Sequence, residues 1–386
     1  MNTLFKSAFM AMCILPAGYM RAADPDITLR TSNYDTAGPN NACTIVVGGT
    51  AGAYLEVDCG FGPVEYQIKE ATFDPATQTI NGTPLTCQVS QEGLIKIYFD
   101  EGTEIDYFNA EGCGLEWADF ADPSTIQIVN FCHNNLEKLD LSDFSALQIA
   151  YLSDNPFGKE PLKIGTNHPE LALLEINSVY NIDPEFDIDT YPKLTVLDAF
   201  AVPGITKLTP SGCPGLVRLS IDCTNVSELD LSNNASLAVL NISETGIRDI
   251  NLSGCPNLQQ FYAVHQSDTY NPDVKLKNLD VSMLPKLYYL FAAGNELTSI
   301  DVSKNTELDH LWLGHNLLTN IDISNNQKLT SLRLEGNYFD FTHFLQIVRP
   351  SMSMNICRNR SRCLWNLRWV KSSTSHHAST VPTQPL

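Results

Sequence analysis

The sequence predicts a mainly β fold, a solenoid of short stacked repeats closed at its N-terminal end by a small all-β domain. Three observations predict it. First, the pattern apolar-x-x-apolar-x-apolar opens at Ile105, Ile126, Leu147, Leu171, Leu194, Leu216, Leu237, Leu258, Leu287, Leu308 and Leu329. The successive gaps are 21, 21, 24, 23, 22, 21, 21, 29, 21 and 21 residues. Second, most copies carry a later beat, as in Leu136-x-x-Leu139-Asp140-Leu141-Ser142 and Leu297-x-x-Ile300-Asp301-Val302-Ser303. Third, the chain ahead of Ile105 is built of short β-branched runs broken by turn residues.

A fixed period in the twenties with this spacing is the signature of stacked leucine-rich repeats, about eleven of about 21 residues each. In the order of the chain, residues 1–23 read as a secretory signal. Lys6 supplies the positive start and Ala8–Leu15 a short apolar core, too short to span a bilayer. Residues 24–104 are expected to form the all-β cap. Runs such as Thr44–Val47, Tyr54–Val57 and Leu94–Phe99 alternate with Gly48-Gly49, Gly60–Pro63 and Asn81-Gly82, a pattern of strands and turns. A stack of repeats leaves a raw apolar end and an open strand edge, and this domain is placed to cover both.

The solenoid is expected over residues 105–345. In Leu308–Leu313 the apolar residues at the fourth and sixth places point inward, so those between them point outward, because strand side chains alternate. Eleven such strands side by side would span roughly 50 Å. A 21-residue turn leaves no room for a full helix on the return leg, which is therefore expected to be extended or 3-10-like. The ninth place holds Asn134, Asn155, Asn295, Asn316 and Asn337, with Cys113, Thr224, Thr245 and Gln266 as polar substitutes. A buried Asn at a bend can satisfy backbone groups of its own turn and of the next. Val179 and Val202 cannot, and residues from about 160 to 210 should be the least regular stretch. The 29-residue gap implies a loop near Gln266–Asp273, where insertions often flank a binding face. Residues 346–386 form a basic tail expected to be disordered.

Charge and cysteines narrow the function. The chain has 44 acidic and 24 basic side chains, a formal charge of −20. Six bases and no acid lie from Arg349 onward, so residues 1–348 hold 18 bases against 44 acids, a charge of −26. Such a body repels phosphate backbones, and nucleic acid is not an expected partner. The tail contacts anionic surfaces or is an out-of-frame end; the second reading is slightly favoured. Of eleven cysteines, Cys213 and Cys255 share a slot two repeats apart, roughly 10 Å by strand spacing, beyond disulfide reach. The five from Cys43 to Cys132 could pair. No metal-ligand spacing such as Cys-x-x-Cys occurs, and no metal or other cofactor is expected.

The outward places define the concave face. Its fifth place runs Asn130, Tyr151, Glu175, Asp198, Ser220, Asn241, Tyr262, Phe291, Trp312 and Arg333, while Tyr289 and His310 stand at the third. Tyr262, Tyr289, Phe291, His310, Trp312 and Arg333 thus fall on four adjacent strands, and aromatics beside Arg are the composition of an interaction hot spot. A ladder that merely stabilises neighbouring strands is the alternative, and the two readings are compatible. The Asp140, Asp230, Asp280, Asp301 and Asp322 row does not converge as calcium ligands must, so turn-forming and solubilising roles are expected. His265 and His315, with Asp309 and Glu335 nearby, could be drawn as an acid–base site, but no nucleophile, paired carboxylate or phosphate loop accompanies them. An enzyme is not expected.

The repeated Leu-Asp-Leu-Ser units and the Asn295–Leu308 run resemble the secreted leucine-rich-repeat proteins of Bacteroidetes-type bacteria and, more distantly, the internalin-like surface proteins. The resemblance is strong over residues 105–341 and looser over 40–104. It implies export from a Gram-negative bacterium to the periplasm, the cell surface or the medium, without an integral membrane segment. It also implies adhesion or ligand capture, and the aromatic patch itself points to a protein ligand first and a glycan second.

Overall fold

The structure is a computed structural model, and it describes residues 24–32, 42–74, 79–265, 273–339, 353–358 and 365–370. The signal segment and most of the stretch where the 266–273 loop is expected lie outside the described residues.

Alternation of buried and outward side chains sets the N-terminal strands. These are β1 (Ile27–Thr31), β2 (Ala42–Gly49), β3 (Tyr54–Asp58), β4 (Pro63–Gln67), β5 (Thr72–Asp74), β6 (Thr79–Asn81), β7 (Thr83–Gln88), β8 (Leu94–Phe99), β9 (Ile105–Asn109) and β10 (Leu115–Phe120). One antiparallel sheet runs β10-β1-β8-β3-β4, while β5 and β6 pair separately. The strands β7 and β2 join a different sheet: β2 lies antiparallel to β9, with Val47 opposite Phe108. The N-terminal strands therefore occupy the open edge of the first repeat, as a strand edge demands. Packing of Phe108, Phe120, Phe131 and Phe144, ring centroids 5.1–6.2 Å apart, seals the apolar end of the stack beneath them.

Beyond β9 come three-residue strands, one per repeat: β11 (Ile128–Asn130), β12 (Ile149–Tyr151), β13 (Leu173–Glu175), β14 (Val196–Asp198) and β15 (Arg218–Ser220). They continue as β16 (Val239–Asn241), β17 (Gln260–Tyr262), β18 (Tyr289–Phe291), β19 (His310–Trp312) and β20 (Ser331–Arg333). Every neighbouring pair is parallel and in the same register, from Asn109 beside Asn130 to Trp312 beside Arg333. The chain is thus a leucine-rich-repeat solenoid, nearly all β. The middle residue of each strand, such as Leu240, Phe261, Leu290 and Leu311, is fully buried, each contributing roughly 1.5–3 kcal/mol of transfer free energy. Return legs carry isolated parallel bridges (Trp117 to Lys138, Asp140 to Lys163, Leu162 to Ile182) and one 3-10 turn at Pro210–Gly212. This is the extended and 3-10 structure that a 21-residue turn allows.

The bends hold the polar bookkeeping of the fold. Asn316 accepts from the Leu297 amide at 3.0 Å and donates to the carbonyls of Ala292 (2.8 Å) and Leu313 (3.1 Å). Asn134, Asn155, Asn295 and Asn337 repeat the arrangement. The inter-repeat partner is always the preceding turn, not the following one as the sequence suggested, because the amide points back along the stack. A second ladder, not anticipated, runs three places before the opener. Asn234, Asn305 and Asn326 there donate to two carbonyls each of the preceding turn. Cys213 and Cys255 stand in the same slot as free, buried thiols, and Cys213 Sγ lies 2.9 Å from the Ile188 carbonyl. Among the five earlier cysteines open to pairing, Cys43, Cys113 and Cys132 are free and Cys59 is disulfide-bonded.

Between residues 160 and 210 the strand register does not break. Irregularity there is confined to the return legs, where Gly165 takes a φ of 85°, and Asn181 supplies a bond to the Phe157 carbonyl (2.8 Å) near the apolar Val179.

At ten of its eleven occurrences the eighth place follows a rule the sequence did not reveal. Gly112, Gly294 and Gly336 have φ values of 66°, 78° and 72°, and His133, Asp154, Ser178, Ala201, Cys223, Glu244 and His315 share this left-handed conformation. A Cβ is costly there, roughly 1–2 kcal/mol. Replacing Ala201 (φ 55°) by Gly should therefore raise the unfolding free energy by about 0.5–1 kcal/mol once the entropy of a freer unfolded chain is deducted. Urea denaturation of the Ala201→Gly variant measures this, and a loss of stability would contradict the account.

Within the basic tail, where disorder is expected over residues 346–386, the described residues are two short strands. These segments, β21 (Ser353–Arg358) and β22 (Trp365–Val370), pair antiparallel, and β22 meets the outer edge of β20 at Arg333 opposite Arg368. The edge of β20 offers unpaired amides and carbonyls, a template that composition alone does not reveal.

Candidate functional site

The concave face is built from the third- and fifth-place side chains of β9 and β11–β20, outward because the residue between them is buried. Its last four strands bring all six sequence-selected residues into one ladder. Tyr262 meets Phe291 edge-on, centroids 5.1 Å apart. Phe291 stacks on Trp312 at 4.0 Å with the planes 5° apart. The Arg333 guanidinium lies 3.5 Å above the Trp312 ring centre. Because Phe291 and Arg333 come from opposite neighbouring strands, both faces of the Trp312 indole are covered. Its edge stays available, and its Nε1 donates to Ser331 Oγ at 2.9 Å.

A second row runs beside this stack. Tyr289 lies edge-on to His310 at 4.7 Å and to Tyr288 at 4.5 Å. His310 Nδ1 sits 2.7 Å from an Asp309 carboxylate oxygen, without the geometry of a hydrogen bond. Tyr262 donates its hydroxyl to Gln260 Oε1 at 2.9 Å, and burial pushes its phenol pKa upward. All six residues are half-buried. The six side chains pack as one ladder across β17–β20, which presents ring edges, one guanidinium and one imidazole.

The opposite half of the face differs in chemistry. Its fifth and neighbouring places hold Glu111, Asn130, Glu175, Asp198 and Asp222, tied by Asn130 to Glu111 (2.9 Å), Ser153 to Glu175 (2.9 Å) and Arg218 to Asp198 (2.6 Å). Burial pushes the Asp222 carboxyl upward from its ordinary value. Beside these acids the third place carries Ile128, Ile149, Val196 and Val239, half-buried but outward. This aliphatic column was not singled out from the sequence, although the alternation that selected Tyr289 and His310 locates it.

The remaining sequence candidates separate. His265 is buried and its Nδ1 is 4.0 Å from Glu244, whereas His315 is exposed. They do not form one site with Asp309 and Glu335. In the return-leg row, Asp140, Asp230, Asp280, Asp301 and Asp322 each accept the amide of the Ser two residues on, at 2.8–3.0 Å. Hydrogen bonds from Ser282 and Ser303 hold the Asp280 and Asp301 carboxyls below the ordinary value. These carboxylates close turns, as expected of residues that can mimic a backbone turn. Among the described residues no group of three or more His, Cys, Asp or Glu side chains is placed to hold a metal ion, and no helix is long and apolar enough to cross a membrane.

No family model matches the chain, and no curated protein matches its sequence. Solved structures resemble it in fold. An internalin from Listeria monocytogenes is 18% identical, with 62% of this chain and 76% of that one covered and a TM-score of 0.46. A leucine-rich-repeat protein of Leptospira interrogans is 16% identical over 58% of this chain and 76% of that one, with a TM-score of 0.36. A plant peptide hormone receptor, solved in complex with a peptide hormone, is 22% identical over 55% of this chain and 36% of that one, with a TM-score of 0.44. At these identities the likeness is one of fold.

Proposed function

We propose that the chain is an exported, non-catalytic binding protein that engages a protein ligand through the Tyr262–Arg333 end of its concave face, in adhesion or ligand capture. The observation that carries this reading is the continuous Tyr262–Phe291–Trp312–Arg333 stack. Aromatic and Arg side chains held rigid before binding lose little entropy on contact, which is what an interaction hot spot requires. A sugar lying flat on Trp312 would need a free face of that ring, and Phe291 and Arg333 cover both. The stack thus favours a protein over a glycan at this patch.

The test uses the full chain as immobilised bait, identifies captured proteins from host and bacterial lysates, and titrates the purified ligand against variants. Trp312→Ala and Arg333→Ala should each weaken binding tenfold or more, the scale of hot-spot truncation. Asn130→Ala, on the opposite half, should leave binding within twofold. Equal affinity across all of them would move the site off the aromatic end.

A further inference from the structure

Trp117, unlike Trp312, pairs with no other ring among the described residues, and it lines a cleft. It stands on β10 and lines a cavity of about 390 Å³ between that strand and the return legs of the next two repeats. The volume falls in the roughly 300–1,000 Å³ range of small-ligand clefts. Trp117 is half-buried, and among the described residues its ring joins no aromatic pair and its Nε1 donates no hydrogen bond. Around it stand Asp119, Lys138, Asp143, Glu160 and Lys163. The side chains of Asp119, Asp143 and Glu160 are exposed and have no hydrogen-bond or ion-pair partner among the described residues. Lys163 lies 3.8 Å from Asp140, whose carboxylate also closes its own turn.

We propose that this cleft is a saccharide-binding site for a neutral or amino-bearing oligosaccharide. An indole face can accept the C–H side of a pyranose ring, and a carboxylate can accept two hydroxyl donors at once. The lysines donate to hydroxyl and ring oxygens. Four carboxylates (Asp119, Asp140, Asp143, Glu160) against two ammonium groups (Lys138, Lys163) leave the lining net negative, so uronate, sialylated and sulfated sugars are repelled. The cation of a Lys or Arg peptide is the rival occupant, and it would use the same indole and acids without any hydroxyl. The site is independent of the concave-face reading, since it lies on the return-leg side and shares no residue with that patch.

The test titrates the full chain with chito-, cello-, malto- and manno-oligosaccharides, with heparin fragments and sialyllactose, and with oligolysine. Tryptophan emission and calorimetry are the readouts. At least one neutral or amino oligosaccharide should shift the emission. Its affinity should fall tenfold or more in Trp117→Ala and in the doubly substituted Asp143→Asn, Glu160→Gln chain, whose exposed changes spare the fold. Trp117→Phe should keep part of the affinity, and Trp312→Ala all of it. The proposal is overturned if no oligosaccharide binds, if acidic sugars bind as well as neutral ones, if only oligolysine binds, or if affinity follows Trp312 instead of Trp117.

Discussion

Asn316→Ala is expected to cost about 3–4 kcal/mol of unfolding free energy, far more than an ordinary surface substitution. The side chain is buried and bonds four backbone groups in two repeats: the Leu297 amide and the Ala292, Leu313 and, more weakly at 3.4 Å, Gly314 carbonyls. Alanine leaves all of them without that partner in a space sealed by leucines, and each unsatisfied buried group costs roughly 1–3 kcal/mol before relaxation. Thr245→Ala is the internal control. Its hydroxyl reaches one carbonyl, that of Ile242 in its own turn, at 2.7 Å, so its loss should cost about 1 kcal/mol. Because each repeat contacts only its neighbours, damage at Asn316 should also loosen amide protection in the 287–337 repeats before the 126–155 repeats respond. Urea melts of both variants, with hydrogen exchange, decide it. Equal costs for Asn316→Ala and Thr245→Ala would refute a ladder that crosses between repeats.

The periodic part of this architecture was legible because one geometric rule, inward at the fourth and sixth places, is repeated eleven times. Repetition also selected Tyr289, Phe291, His310 and Trp312 as outward neighbours, and the structure stacks them. What the pattern could not show is where ring faces go. Trp312 reads as an exposed platform in sequence, yet its neighbours at the same place one repeat either way cover both faces. The left-handed eighth place was hidden for another reason. Only Gly112, Gly294 and Gly336 advertise it, and the other seven residues adopt it because the stack over-determines the bend. The Trp117 cleft was equally invisible, since it depends on β10 turning away from the solenoid sheet to pair with β1. The β21–β22 pairing was not legible either, because a strand edge recruits sequence that has no pattern of its own.

A second large effect is expected on acidification, and it should centre on His265. Its side chain is fully buried at the eighth place of its repeat, and neither ring nitrogen has a hydrogen-bond partner among the described residues. Burial first, and the nearby Lys275 cation second, press its pKa down from 6.5 to about 4. A depressed histidine favours the neutral form in the folded chain. Above pH 6.5 both folded and unfolded chains hold it neutral, and nothing is lost. As pH falls below 6.5 the unfolded chain takes up a proton that the folded chain refuses, so stability declines until the folded pKa is passed. The loss should reach about 2 kcal/mol by pH 5 and about 3 kcal/mol below pH 4. Other groups act in the same range with both signs. The raised Asp106 and Asp222 carboxyls add stability as they protonate, and the lowered Asp280 and Asp301 carboxyls remove it. Comparing the wild type with His265→Phe cancels these shared terms and isolates the histidine. The variant should lose less stability between pH 7 and pH 4, by about 3 kcal/mol in the difference. Parallel pH profiles would mean that the ring finds a protonated conformation within the fold. Its place decides what acid would do first: His265 directly precedes residues 266–272 and lies three residues after Tyr262, so forced protonation should loosen the start of the aromatic ladder before the rest of the solenoid.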